Sequence, residues 1–78
     1  MSCNYDVVLL DCDGFEICCV HEDRLSTAKA RGKYMLSPIY ARVLETTHEA
    51  LGTRCVEVRS RDNGIVVWDQ YLRVGVAA

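Results

Sequence analysis

Long hydrophobic runs are missing from this sequence. No uninterrupted apolar stretch exceeds the four residues 7–10, which predicts neither a transmembrane helix nor a signal-peptide core. The glycines are few and isolated (Gly14, Gly32, Gly52, Gly64 and Gly75), so no glycine-rich loop is available to cradle a phosphate. Ser26, Ser37 and Ser60 lack the flanking residues of a nucleophile elbow. The spaced Cys or His pairs of structural zinc knuckles are also absent. With a single proline and no low-complexity stretch there is no linker. Chain length is the last scarcity: 78 residues make one domain, 1–78, too short for a doubly wound nucleotide binder or a barrel.

What remains is globular in character. Half the residues are apolar and 26% are charged, which favours a folded domain over a disordered tail. Five cysteines (Cys3, Cys12, Cys18, Cys19 and Cys55) make an odd set, two of them adjacent. Neighbouring strand residues point to opposite faces, so Cys18 and Cys19 are poorly placed to share a partner. The expectation is reduced thiols in a soluble, cytoplasmic protein, some of them serving as small core hydrophobes.

Two short apolar runs, each broken by an acidic turn ending in glycine, bracket the chain. The first runs from Tyr5 through Asp11-Cys12-Asp13-Gly14 to Val20, and the second from Cys55 through Arg61-Asp62-Asn63-Gly64 to Trp68. Gly supplies the positive φ that a tight turn demands, between flanks rich in β-branched residues. Both segments read as hairpins. The middle has a helical period, with Asp23 or Ser26 as the cap and Leu25, Ala28, Gly32 and Met35 or Leu36 on one side. Ser37-Pro38 then starts a second helix, with Ile39, Tyr40, Val43, Leu44, Thr47 and Leu51 on its apolar face and Gly52 as its C-terminal cap. The fold class is α+β: a four-stranded antiparallel sheet with one or two helices on one face, in the order β-β-α-α-β-β.

Strict alternation sorts the strand residues by face. It puts Val7, Leu9, Phe15, Ile17 and Cys19 on one side of the first hairpin and Val8, Leu10, Cys18 and Val20 on the other. In the second hairpin Ile65, Val67 and Tyr71 oppose Val66, Trp68 and Leu72. Both faces are therefore apolar. Either the helices wrap both sides, or the second face is a contact surface with Trp68 as its anchor.

Charge is segregated. Residues 1–23 carry six acidic and no basic side chains, and residues 24–44 carry five basic and no acidic ones. An acidic hairpin (Asp11, Asp13, Glu16) thus sits in sequence beside a basic helix (Lys29, Arg31, Lys33). The two either face each other, solubilise the surface, or contact partners. Nucleic acid is not favoured, because the overall charge is −2 and no aromatics interleave the basic stretch.

Val7-Val8-Leu9-Leu10-Asp11-Cys12-Asp13-Gly14 resembles the opening motif of haloacid-dehalogenase-type phosphatases. The resemblance implies Asp11 as nucleophile, Asp13 as general acid/base, and Mg²⁺ between them. The chain has no length for that family's parallel sheet, and Phe15 departs from the motif. Asp-x-Asp-Gly is read here as a hairpin turn, with no catalytic residue and no cofactor assigned. Cys18, Cys19 and His21 lie close in sequence, with His48 and Cys55 further on, and Cys19 and His21 share a strand face. That permits a two-residue metal clip, but no metal site is assigned.

The layout as a whole resembles small orphan proteins of phages and mobile elements, including some anti-CRISPR proteins. It rests on the helix at Leu25-Ser26-Thr27-Ala28-Lys29-Ala30-Arg31, the strand Gly52-Thr53-Arg54-Cys55-Val56-Glu57-Val58, and the strand ending Val66-Val67-Trp68-Asp69. The resemblance implies a non-enzymatic inhibitor that binds and blocks a host CRISPR effector complex. Its contacts would come from Asp11, Asp13 and Glu16, from Lys29, Arg31 and Lys33, or from Trp68. The alternative is a small, dimeric, nucleic-acid-associated regulator using the basic helix.

Overall fold

A computed structural model describes residues 4–73. Strands β1 (Tyr5–Asp11) and β2 (Glu16–Glu22) form the first hairpin. Helices α1 (Leu25–Met35), α2 (Pro38–Val43) and α3 (His48–Leu51) follow, and β3 (Thr53–Ser60) and β4 (Val66–Tyr71) close the chain. The sheet is antiparallel throughout, with strand order β2-β1-β3-β4. The α+β class and the hairpin–helices–hairpin order match the sequence expectation, with the middle split into three helices. Cys3 lies outside the described residues.

Each boundary has a local cause. The Asp11 carboxylate accepts from the Asp13 and Phe15 amides, both at 2.9 Å, and Gly14 takes φ 82°. Ser37 caps α2 by accepting from the Tyr40 amide at 3.3 Å, with Pro38 in the first turn. Helix α1 starts differently from expectation: Arg24 occupies the N-cap with no side-chain bond, and neither Asp23 nor Ser26 takes that role. Helix α2 stops at Val43, Glu45 adopts φ 59°, and Thr47 recaps the chain as α3 by accepting from the Ala50 amide. Gly52 terminates α3 in the left-handed conformation. The Ile39–Leu51 stripe is therefore not one helical face, and Ile39 and Val43 are exposed.

The main core lies between α1 and the sheet. Ala28, Met35 and Leu36 pack against Val7, Leu9, Val56 and Val58, all buried. On the opposite face Val8, Leu10 and Cys55 form a smaller cluster with Cys19 against it. Three bulges correct the alternation used above. Leu9 pairs with Cys18 but Leu10 with Glu16, leaving Ile17 unpaired. Further shifts fall at Leu10/Asp11 and at Val58/Arg59, the second leaving Val67 as the extra residue. As a result Ile17, Cys18 and Val20 all pack on the main core, while Cys19 joins Val8 on the other face.

Trp68 needs the same correction. It pairs with Val58, whose side chain is in the main core, and opposed residues point the same way. Trp68 is thus half-buried under α1, on the helix-covered face.

Candidate functional site

The first candidate is on the face without helices. Asp6 and His21 are cross-strand partners, and Cys19 stands two residues from His21 on β2. The period of two brings all three to one side of the sheet. His21 Nδ1 is 2.6 Å from Asp6 Oδ1, and the ligand-capable atoms of Asp6, Cys19 and His21 all lie within 4.8 Å of one another. Arg61 Nε approaches the same Asp6 oxygen at 3.4 Å. Burial, then the nearby Asp6 and Glu16 carboxylates, push the Cys19 thiol above its ordinary 9.0. Cys55 is raised too, chiefly by burial. The Cys19–His21 clip was legible in the sequence, whereas Asp6 was not, because it joins only through the β1–β2 register.

The acidic hairpin and the basic helix are dispersed rather than gathered. Asp11 is committed to its own turn, Asp13 is exposed, and Glu16 pairs with Leu10 at the start of β2. The family resemblance to phosphatases implied a parallel sheet, and this sheet is antiparallel. On α1, Lys29 and Lys33 are four residues apart on one flank. Arg31 is on the other flank, where its Nε donates to Glu22 Oε2 at 3.0 Å. One basic residue therefore answers an acidic one, and the helix has no single basic face.

A second candidate, which the sequence reading missed as a surface, is the outer edge of β4. Both β2 and β4 are edge strands. The β2 edge carries Glu16, His21 and Glu22, the kind of charge that discourages pairing with another chain. On β4, Val66, Val67 and Tyr71 are exposed with Asp69 and Gln70 between them, and Ile65 is exposed just before the strand. Among the described residues no strand pairs with that outer side.

At the Tyr71 end of the sheet an open groove of about 1520 Å³ lies between β4 and the α2–α3 segment, lined by Lys33, Pro38, Ala41, His48 and Tyr71. His48 holds its wall together. Its Nε2 donates to the Ser37 carbonyl at 2.9 Å, and its Nδ1 accepts from the Thr53 hydroxyl at 2.8 Å. Both ring nitrogens are thus used structurally. Nearby, Cys18 Sγ contacts the Tyr40 hydroxyl at 3.4 Å. Burial, with help from that contact, pushes Tyr40 up to about 12 from an ordinary 10.0.

No described helix is long and apolar enough to cross a membrane. No protein-family model, curated protein or solved structure matches the chain.

Proposed function

We propose that this chain is a non-enzymatic protein-binding module that docks through the outer edge of β4. The observation that carries the reading is the contrast between the two sheet edges: β2 is bracketed by Glu16 and Glu22, while β4 presents Val66, Val67 and Tyr71 to solvent with Asp69 as its one charged residue. An open apolar edge recruits a partner strand by main-chain hydrogen bonds, with alternate side chains supplying specificity. The resemblance in layout to anti-CRISPR proteins supplies the partner class, a bacterial CRISPR effector complex held in an inhibited state. The nucleic-acid alternative draws less support, since Arg31 is paired with Glu22 and leaves Lys29 and Lys33 as the only cations on their flank of α1.

The test is capture by the tagged protein from nuclease-treated lysate containing CRISPR effector complexes, beside the Val67→Lys variant. A stoichiometric effector subunit retained by the wild type and lost by Val67→Lys supports the reading. Retention by both proteins removes β4 as the docking edge, and recovery of nucleic acid alone from a parallel lysate without nuclease favours the regulator. A homodimer that Val67→Lys dissociates, with no effector bound, assigns the edge to a second copy and overturns the inhibitor reading.

A further inference from the structure

We propose that Asp6, Cys19 and His21 form a zinc-binding site on the helix-free face, bridging edge strand β2 to central strand β1. The argument starts from register. Asp6 is paired with His21 and Val8 with Cys19, so the three ligand-bearing residues occupy adjacent same-face positions of one hairpin. They come from an ordered antiparallel ladder, and the sheet itself limits how far they can spread. Their ligand atoms already lie within 4.8 Å of one another. Tetrahedral zinc with bonds of about 2.0–2.3 Å places its ligands roughly 3.3–3.8 Å apart, so only small side-chain adjustments are needed.

Donor chemistry selects the ion. One sulfur, one imidazole nitrogen and one carboxylate oxygen form a mixed set that suits Zn²⁺ and is poorly matched to Mg²⁺ or Ca²⁺, which take oxygen ligands. The closest existing contact, His21 Nδ1 to Asp6 Oδ1 at 2.6 Å, must open slightly as the ion enters between them. On binding, the Cys19 thiol gives its proton to solvent, the proton between His21 Nδ1 and Asp6 Oδ1 passes to Nε2 (or to solvent from a doubly protonated ring) so that the neutral imidazole presents a lone pair, and three protein–metal bonds form. The fourth position is left to water or to an incoming ligand. Access is direct, because the His21 side chain is 51% exposed and that of Asp6 28% exposed.

One feature of the surroundings opposes the cation and so gives the proposal a distinctive signature. Arg61 Nε stands 3.4 Å from the Asp6 oxygen that would bind the ion. The neighbouring Arg59 is held by Glu57, with Nε and Nη2 at 3.0 and 2.7 Å from Oε1. Removing the Arg61 charge therefore strengthens zinc binding, a change that a purely structural Asp6–His21 pair would not produce. Among the described residues the one exposed thiol is Cys12, on the turn.

The probe is Zn²⁺ alone, titrated into the reduced protein against a chromophoric chelator, with Co²⁺ substitution to report a sulfur ligand by its charge-transfer absorption. One equivalent binds the wild type. Cys19→Ser and His21→Gln each weaken it by about tenfold or more, Cys12→Ser leaves it unchanged, and Arg61→Gln tightens it. Saturating Zn²⁺ raises the thermal midpoint of the wild type and not of Cys19→Ser. Circular dichroism of the metal-free variants separates lost ligation from lost folding, and His21→Gln, being at a half-exposed position, serves as the variant that folds. Absence of stoichiometric binding, a cobalt spectrum without the sulfur band, or binding that survives both ligand substitutions overturns the site.

Discussion

Gly32 and Trp68 meet across the helix–sheet interface so closely that a β-carbon on Gly32 would lie 2.9 Å from Cζ3 of the indole and 3.3 Å from Cγ1 of Val56. The glycine is in mid-helix, where alanine is ordinarily worth about 1 kcal/mol more. Packing reverses that preference, because the tightest contact is to the rigid indole of Trp68 at 2.9 Å, which is packed against the main core. Gly32→Ala is therefore expected to destabilise the protein by about 1–2 kcal/mol in urea unfolding. In a Trp68→Leu background the same substitution becomes neutral or stabilising. Additive effects would show that the two positions do not interact.

The Asp11 carboxylate tests whether the Asp-x-Asp-Gly segment is a turn. Asp11→Ala removes the acceptor for two backbone amides and is expected to cost about 1–2 kcal/mol. Asp11→Asn keeps an oxygen in place and loses less. Equal losses in the two variants would show that the charge, and not the turn geometry, is what the position requires.

His48 ties α3 to the start of α2 and to β3. Replacing it with alanine leaves the buried Thr53 hydroxyl without its partner and the Ser37 carbonyl with only the long 3.5 Å bond from the Ala41 amide. The expected loss is about 1–3 kcal/mol, accompanied by faster amide exchange across α2 and α3. Unchanged exchange in those helices would mean that His48 is dispensable to the wall it lines.

Alkaline pH should weaken the fold in two stages. The Cys19 and Cys55 thiols are raised above 9.0, and Tyr40 is raised from 10.0 to about 12. Each group ionises first in the unfolded chain, so the unfolded state releases protons as pH climbs and becomes favoured. Stability is full below about pH 9 and falls as pH rises through the thiol range. It falls further between 10.0 and about 12 as Tyr40 titrates. Tyr40→Phe is expected to flatten only the second stage, read as the denaturation midpoint against pH. An identical profile in that variant would remove Tyr40 as the cause.

Much of the fold was legible because its signals are local. The two Gly-ended turns, the Ser37-Pro38 helix start and the Gly52 stop each act within a few residues, and all stand where the sequence placed them. The faces of the strands were not legible, since one unpaired residue at Ile17 and another at Val67 reset the alternation, and a bulge leaves little trace in composition. Trp68 was placed on the uncovered face for that reason. At the candidate metal site, alternation alone joined Cys19 to His21, but Asp6 joins them through pairing between strands, which a single sequence does not state. The open edge of β4 likewise depends on strand order: the same Val66, Val67 and Tyr71 in a central strand would have paired on both sides.

The unequal edges also set how far such sheets can propagate. With Glu16 and Glu22 bracketing β2, and Val66, Val67 and Tyr71 exposed around Asp69 on β4, the sheet has in effect a valence of one: it lengthens more readily past β4 than past β2. Two copies joined edge to edge at β4 would turn their charged strands outward and leave no acceptor for a third. Association by this route is isologous and self-terminating, so the apolar strand that exposes the monomer to pairing does not by itself lead to a fibre.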